Sequence, residues 1–344
     1  MRSVAVLAVL LDHVMETLGA FRGFNPTPFA WYAGRIGVLL FFVLTSLVLL
    51  QSLERSARAG QASSAGFFVR RAFRIYPLSL VCVAAVLLLG VPGTAWEAVR
   101  RPIGTLQLVS NFALTQNLTY SESILGPLWS LPYELQMYLF LPAVFWLVDR
   151  ARSVRSALGL WILGVLSALV QPEIAGRLDV AQYAPCFLAG AVAYALGRRF
   201  EARLPFSALP LGLAALLAAY VALAGRSGEV HPRWVGWALC LAVGTLLPFV
   251  TELRSRWPRA AFREIAKYSY GVYLFHMIAL WIGFNRLGRE PFALQCAAAL
   301  SLLVLLPVAG HHLVEKPGIA AGARLARRLA TRRSAASAVH GSGG

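Results

Sequence analysis

Ten apolar runs, each close to the length that crosses a bilayer, divide this 344-residue chain. A soluble domain has no way to cover so much continuous hydrocarbon. The runs fall at 3–20, 36–53, 75–91, 133–149, 156–171, 181–197, 206–224, 233–250, 268–284 and 293–313. An eleventh stretch, 105–117, is apolar but interrupted by Gln107, Ser110, Asn111, Thr115 and Gln116. We read it as re-entrant or interfacial, because irregular backbone at membrane depth must be covered by protein or line a cavity. Charge placement tests that choice. With ten spans and a cytoplasmic N-terminus, 23 of the 32 basic residues lie in cytoplasmic segments and nine lie outside, a clear positive-inside bias. Counting 105–117 as a full span inverts every later loop and moves 17 basic residues outside. The expectation is therefore an all-α polytopic membrane protein of about ten transmembrane helices, with both termini cytoplasmic.

Composition supports that reading. The chain is 58% hydrophobic and 14% charged, with a mean hydropathy of +0.64. A net charge of +17 would suit nucleic acid, but the arginines fall between apolar runs rather than in one patch, so membrane topology accounts for them and no nucleic-acid partner is expected. Only Lys267 and Lys316 are lysines. Cys82, Cys186, Cys240 and Cys296 each stand alone in an apolar run and read as small core residues. The first run carries His and acids and lacks a small-residue cleavage site, so it is expected to stay in the protein. One membrane domain over 1–317 is followed by a basic, Ala/Ser/Gly-rich segment, 318–344, expected to be a disordered cytoplasmic tail drawn to anionic lipid.

Several constellations carry chemistry. The first run begins at Arg2 and holds Asp12, His13 and Glu16. His13 lies about 16 Å along the helix from Arg2, near mid-bilayer. Ionisable groups there cost roughly 2.5–3.5 kcal/mol each, so they are usually paired and functional. Glu16, at i+3, shares a face with His13, whereas Asp12 does not. A base beside a carboxylate suggests proton chemistry; a polar helix contact is the plain alternative. At the start of the third span, Arg70, Arg71 and Arg74 cluster ahead of Tyr76 and Pro77, with Pro77 expected in the first helical turn. Bidentate guanidinium groups at a helix N-terminus suit phosphate, while a flank on lipid headgroups explains them equally well.

Glu134 and Tyr138, spaced i, i+4 after Trp129, open the fourth span. A carboxylate there needs a partner, and His13 or an outer arginine such as Arg35 qualifies. Ser269, Tyr273 and His276 share one face of the ninth span, where a packed hydrogen-bonding histidine is the plainer reading of His276. His311 and His312 point in different directions on a helix and read as capping groups. No zinc spacing occurs and no metal is expected. His231 and His340 carry no assignment, and the glycosylation-like triplet at Asn117 is a pattern common by chance.

Taken in order from Arg2 to Pro317, these stretches resemble the acyltransferase 3 family of bacterial membrane O-acyltransferases. The arginine–ten residues–histidine pattern matches Arg2 and His13. The next span matches through Gly37, Phe41, Phe42 and Thr45, the basic cluster through Arg71, Arg74, Tyr76 and Pro77, and the fourth span through Trp129, Leu131, Glu134 and Tyr138. Ser269, Tyr270, Tyr273, Leu274 and His276 match a further stretch, as do Glu315 and Pro317 at the end. There are three departures. Arg2 follows the initiator directly where relatives carry a short leader, so a start upstream is expected. Leu39 stands where the family carries aspartate. Thr45 and Ser46 replace its Ser-Gly, and Ser46 adds bulk where glycine allows close approach.

The resemblance implies transfer of an acyl group, most often acetyl, from a coenzyme A thioester to a hydroxyl of a glycan or glycolipid, in the bacterial inner membrane. It implies Arg71 and Arg74, with Arg70 and Tyr76, around acetyl-CoA, and His13 as general base with Glu16 or Glu134 as its carboxylate. Tyr76, Tyr138 and Thr45 are candidate oxyanion donors, and Arg2, Trp129, Ser269 and His276 candidate substrate contacts. The rivals are a proton-coupled transporter or flippase, against which stand the lack of an internal repeat and of paired broken helices, and a non-catalytic scaffold on the same fold.

Overall fold

The computed structural model describes residues 1–23, 28–60, 63–95, 97, 102–175, 179–227, 232–253 and 255–341, without the side chains of 22, 28–30 and 331–341. Arg100, Arg101, Arg177, His231 and Arg254, most of the Pro-rich connector at 25–28, and the side chains of Arg22 and His340 lie outside the described residues. Helices follow one another as α1 (Arg2–Arg22), α2 (Pro28–Arg58), α3 (Ser64–Leu89), α4 (Thr105–Ala113), α5 (Gln116–Thr119), α6 (Leu131–Ala151) and α7 (Val154–Ile174). Then come α8 (Ala184–Gly197), α9 (Ala208–Ser227), α10 (Arg233–Leu246), α11 (Arg256–Leu280), α12 (Phe292–Gly310) and α13 (Lys316–Gly341). Among the described residues there is no strand, only an isolated bridge between Leu204 and Val250.

Every expected apolar run holds a helix. Seven helical segments among the described residues are long and apolar enough to cross a membrane, while α8 and α10 are shorter apolar helices. Exposed Ile162, Leu163, Leu166 and Leu169 on α7, with Leu300, Val304 and Leu305 on α12, form the apolar exterior that hydrocarbon requires.

α2 runs through the middle of the bundle, and small residues let its neighbours approach. A methyl on Gly37 would come 2.6 Å from the Ala5 carbonyl oxygen and 2.9 Å from Val9, so only glycine admits α1. At Gly34 an added methyl would overlap the Asp12 side chain. On the opposite side, a methyl on Gly190 of α8 would run into the Val43 carbonyl and lie 2.7 Å from Ser46 Cβ. This resolves the Ser46 departure: Ser46 is fully buried, and the close approach is supplied by the partner helix. Without a hydrophobic force between helices in lipid, such contacts supply the packing.

The segment 105–117 does not cross. α4 has nine residues, about 14 Å of helix, and ends at Leu114 with φ 54° before α5 stops at Tyr120 with φ 53°. Its polar residues satisfy the exposed backbone: buried Asn111 donates to Glu122 O at 2.9 Å and accepts from Ile124 N at 3.0 Å, and Gln116 donates to Leu128 O at 3.0 Å. Asn117 is occupied by Asp179 and Gln136.

Three boundaries differ from expectation, for one reason: hydropathy finds the apolar layer, not the helix end, and arginine stems can continue a helix past it. α3 begins at Ser64 behind a Ser63 cap that accepts from Gly66 N at 3.2 Å, so Pro77 lies inside the helix rather than in its first turn. α11 begins at Arg256 rather than 268. α13, Lys316–Gly341, continues past the boundary expected at 317 and packs on α3. Pro77 has no N–H to offer the Phe73 carbonyl. Gly318 approaches that bare oxygen, so that a methyl there would be 3.0 Å away.

Gly190→Ala is expected to cost about 1–3 kcal/mol, whereas Gly225→Ala, which meets nothing within 4 Å, should leave stability unchanged. Thermal unfolding of both variants in detergent checks this pair; equal midpoints would refute the α2–α8 packing argument.

Candidate active site

α1, α2, α3, α6 and α11 converge on two cavities with a common wall. The first, of about 90 Å³, is lined by Arg2, Arg71, Arg74, Thr45, Glu134 and Tyr138, with Ser269 and Tyr270 from α11. The second, of about 420 Å³, is lined by Asp12, His13, Glu16, Trp31, Arg35 and Trp129. Val38 and Tyr273 line both. Tyr273 is held there by two hydrogen bonds: its hydroxyl donates to Pro127 O at 2.6 Å and meets Ser130 Oγ at 2.7 Å. The Gly126–Ser130 turn that supplies them is anchored by Gly126 N donating to Gly93 O at 2.7 Å.

Arg2 and His13 sit one in each cavity, as eleven residues of helix rise require. The ring of His13 is fixed at Nδ1, which lies 3.0 Å from Val9 O and 3.2 Å from Nε2 of His276. The His276 ring is in turn fixed by its own Nδ1, 3.0 Å from Val272 O. Carbonyl oxygens only accept, so both Nδ1 atoms carry the proton and the lone pair of each ring is on Nε2.

Several sequence expectations need correction. Glu134 is not the partner of His13 or Arg35: it lies in the other cavity, accepts from the Tyr138 hydroxyl and has Thr45 Oγ1 at 3.5 Å. Tyr138 and Thr45 are thereby turned toward a carboxylate instead of an oxyanion. Tyr76 lines neither cavity; its hydroxyl donates to Ala113 O at 3.0 Å and ties α3 to α4. Arg70, Arg71 and Arg74 do not sit at a helix N-terminus, because α3 starts before them. Arg70 lines neither cavity. Arg74 forms an ion pair with Glu315, whose side chain is fully buried and also takes His311 Nδ1 at 3.0 Å. His312 lies 3.2 Å from the Tyr268 hydroxyl. Ser269 donates to Ala266 O at 2.8 Å.

Arg71 is different: its Nε is buried with no hydrogen-bond partner, a donor that an incoming anion can satisfy. Glu16 shares the cavity of His13 as its i+3 spacing implies, and Asp12 joins it there against expectation, Oδ1 buried with no hydrogen-bond partner. The missed signal was the i, i+4 spacing of Asp12 and Glu16. Arg35 was considered only as a partner for Glu134, yet it stands in the His13 cavity, 4.9 Å from the Trp129 ring centroid and donating to the Tyr183 hydroxyl at 3.0 Å.

The family model described as an acyltransferase domain, acyltransferase 3, matches residues 1–311. The chain belongs to the acyltransferase 3 family. No curated protein and no solved structure matches it. As an acyltransferase-type membrane protein it carries its first cavity at the arginines and its second at the histidine. Leu39, where the resemblance implies an aspartate, is i+4 from Arg35 and shares a cleft with it. Ring faces of Trp129 and Tyr183 and the Tyr183 phenol surround the guanidinium.

Arg74→Ala strands the buried Glu315 carboxylate and should cost about 3 kcal/mol of stability, visible as a lowered melting midpoint. Arg71→Ala removes a group with an unsatisfied donor and should leave the midpoint within error. A reversed order would overturn the two assignments.

Proposed function

We propose that this protein transfers an acyl group, acetyl in the first instance, from an acyl-CoA thioester to a hydroxyl of a sugar, glycan or glycolipid at the bacterial inner membrane. In this reading ten helices cross and both termini face the cytoplasm, where the arginine-rich segments lie. The observation that carries it is the arrangement of the site: a guanidinium with an unsatisfied Nε in one cavity, a fixed imidazole in the adjoining one, and Val38 and Tyr273 shared between them, where thioester carbon and acceptor hydroxyl would meet.

The first cavity suits the donor. Arg71, with its unsatisfied Nε, and Arg2 are the residues that would hold phosphate oxygens, while Arg74 is already matched by Glu315. The thioester supplies an activated carbonyl carbon with a good leaving group. The second cavity suits a polyhydroxylated acceptor: Asp12 and Glu16 accept hydrogen bonds, Arg35 donates them, and the indole rings of Trp31 and Trp129 offer apolar faces to a sugar ring.

His13 takes the hydroxyl proton at Nε2 as the acceptor oxygen bonds to the thioester carbon. The carbon–sulfur bond breaks, and His13 returns the same proton to the departing sulfur. Arg35 stands in that cavity as the cation for charge that develops on the carbonyl oxygen. Burial among helices keeps bulk water from competing with the acceptor.

Protein in nanodiscs, given acetyl-CoA and a bacterial envelope glycan extract, should release CoA only with the acceptor present. His13→Ala is expected to lower that rate by roughly 100-fold or more, and Arg71→Ala to raise the acetyl-CoA KM by roughly tenfold, the loss of one charge-assisted bond. Near-normal release by His13→Ala would remove the base assignment, and failure of the wild type to bind acetyl-CoA would remove the reaction.

A further inference from the structure

We infer that His276 is a positioning residue for His13: a neutral imidazole on α11 that accepts the Nδ1–H of the base and so holds the ring with Nε2 as its working nitrogen. This deepens the acyl-transfer reading and rests on it for its catalytic consequence, but the hydrogen bond itself does not depend on that reading.

The directions of the hydrogen bonds carry the argument. His276 Nδ1 faces Val272 O at 3.0 Å, and a carbonyl accepts only, so this nitrogen holds the proton and His276 Nε2 holds the lone pair. That lone pair lies 3.2 Å from His13 Nδ1, which is itself protonated because it faces Val9 O at 3.0 Å. The His13 N–H is therefore shared between two acceptors. The reverse arrangement, with His276 donating, sets a bare His13 nitrogen against the Val9 carbonyl and a bare His276 nitrogen against Val272, two lone-pair contacts at hydrogen-bond distance.

The bond from Nδ1 to Val9 O ties the His13 ring to its own helix. A second acceptor on α11 ties it to another helix as well and fixes the direction of Nδ1–H. His276 can serve because it is 1% exposed and because its helix is fixed: a methyl on Gly271 would be 2.9 Å from Pro307, so α11 is seated against α12.

The choice of imidazole has chemical consequences. Nδ1 is the nitrogen an orienting carboxylate usually takes, and here it is occupied by Val9 and His276. A carboxylate in that position would favour a standing imidazolium, which cannot accept a proton. A neutral acceptor leaves the resting base neutral and strengthens its hydrogen bond only when His13 becomes charged during transfer.

Two variants separate orientation from other roles. His276→Leu removes the acceptor and is expected to lower kcat by roughly 100-fold with the acetyl-CoA KM unchanged. His276→Gln can present an amide oxygen near the Nε2 position and should recover all but about tenfold of that loss. Because His276 acts only through His13, His13→Ala/His276→Leu should be no slower than His13→Ala alone. Wild-type kcat in His276→Leu would overturn the proposal, as would a His276→Gln variant no faster than the leucine one. A further readout needs no substrate: with ¹⁵N-labelled histidine, NMR in nanodiscs should show a ¹⁵N–¹⁵N coupling across the His13–His276 hydrogen bond, and its absence would refute the pairing. A coupling present in a protein that never consumes acyl-CoA would uphold the pairing and refute the acyl-transfer reading instead.

Discussion

Carrying charge into hydrocarbon is the constraint from which the rest of this structure follows. Asp12, His13 and Glu16 lie within one and a half turns of an otherwise apolar helix, and each is costly there unless neighbouring protein surrounds it. α1 can insert only where its polar face is covered. Gly34 and Gly37 bring α2 close enough to do this from one side, with Asp12 filling the space that a side chain at Gly34 would take. α11 covers the other side through His276. The site is thus the place where the bundle repays the insertion cost of its first helix, and the geometry that makes it chemically useful also makes α1 stable in the membrane.

Much of the fold was legible in the sequence, because period and composition report directly on the apolar layer. The positions of the helices, the short excursion at 105–117 and the apolar cysteine sites all follow from it, and Cys82, Cys186 and Cys240 are indeed buried. Helix ends were not legible. Nothing in the hydropathy of 64–74 distinguishes a basic loop from a helix with arginines along it, so Pro77 was placed at a beginning instead of an interior. The domain boundary at 317 was drawn on the same composition, and Gly318 and Gly322 just beyond it are the contact surface for Phe73 and Pro77.

The site was legible by residue and not by partner. His13, Glu16, Arg2, Arg71, Glu134 and His276 were all singled out from the sequence; the first five line the two cavities and His276 stands against His13. Which side chain meets which depends on helix adjacency between distant parts of the chain. His13 and His276 are 263 positions apart, and Arg74 and Glu315 meet only because α12 continues through an irregular turn at His311–Glu315 into α13. Spacing rules work within a helix; they placed Glu134 beside Tyr138 correctly and had no means of keeping it away from His13.

The wall formed by Val38 and Tyr273 limits how the two chambers can change. The arginine cavity draws on α3, the start of α6, the middle of α2, Arg2 and Ser130, whereas the histidine cavity draws on the middle of α1, the start of α2 and Pro127 and Trp129 of the turn before α6. Because both chambers draw on α1, α2 and the 126–130 turn, a change at Val38 or Tyr273 is felt in both, while one at Trp31 or at Thr45 faces a single chamber. The two residues between the chambers are therefore the ones with the least freedom to vary.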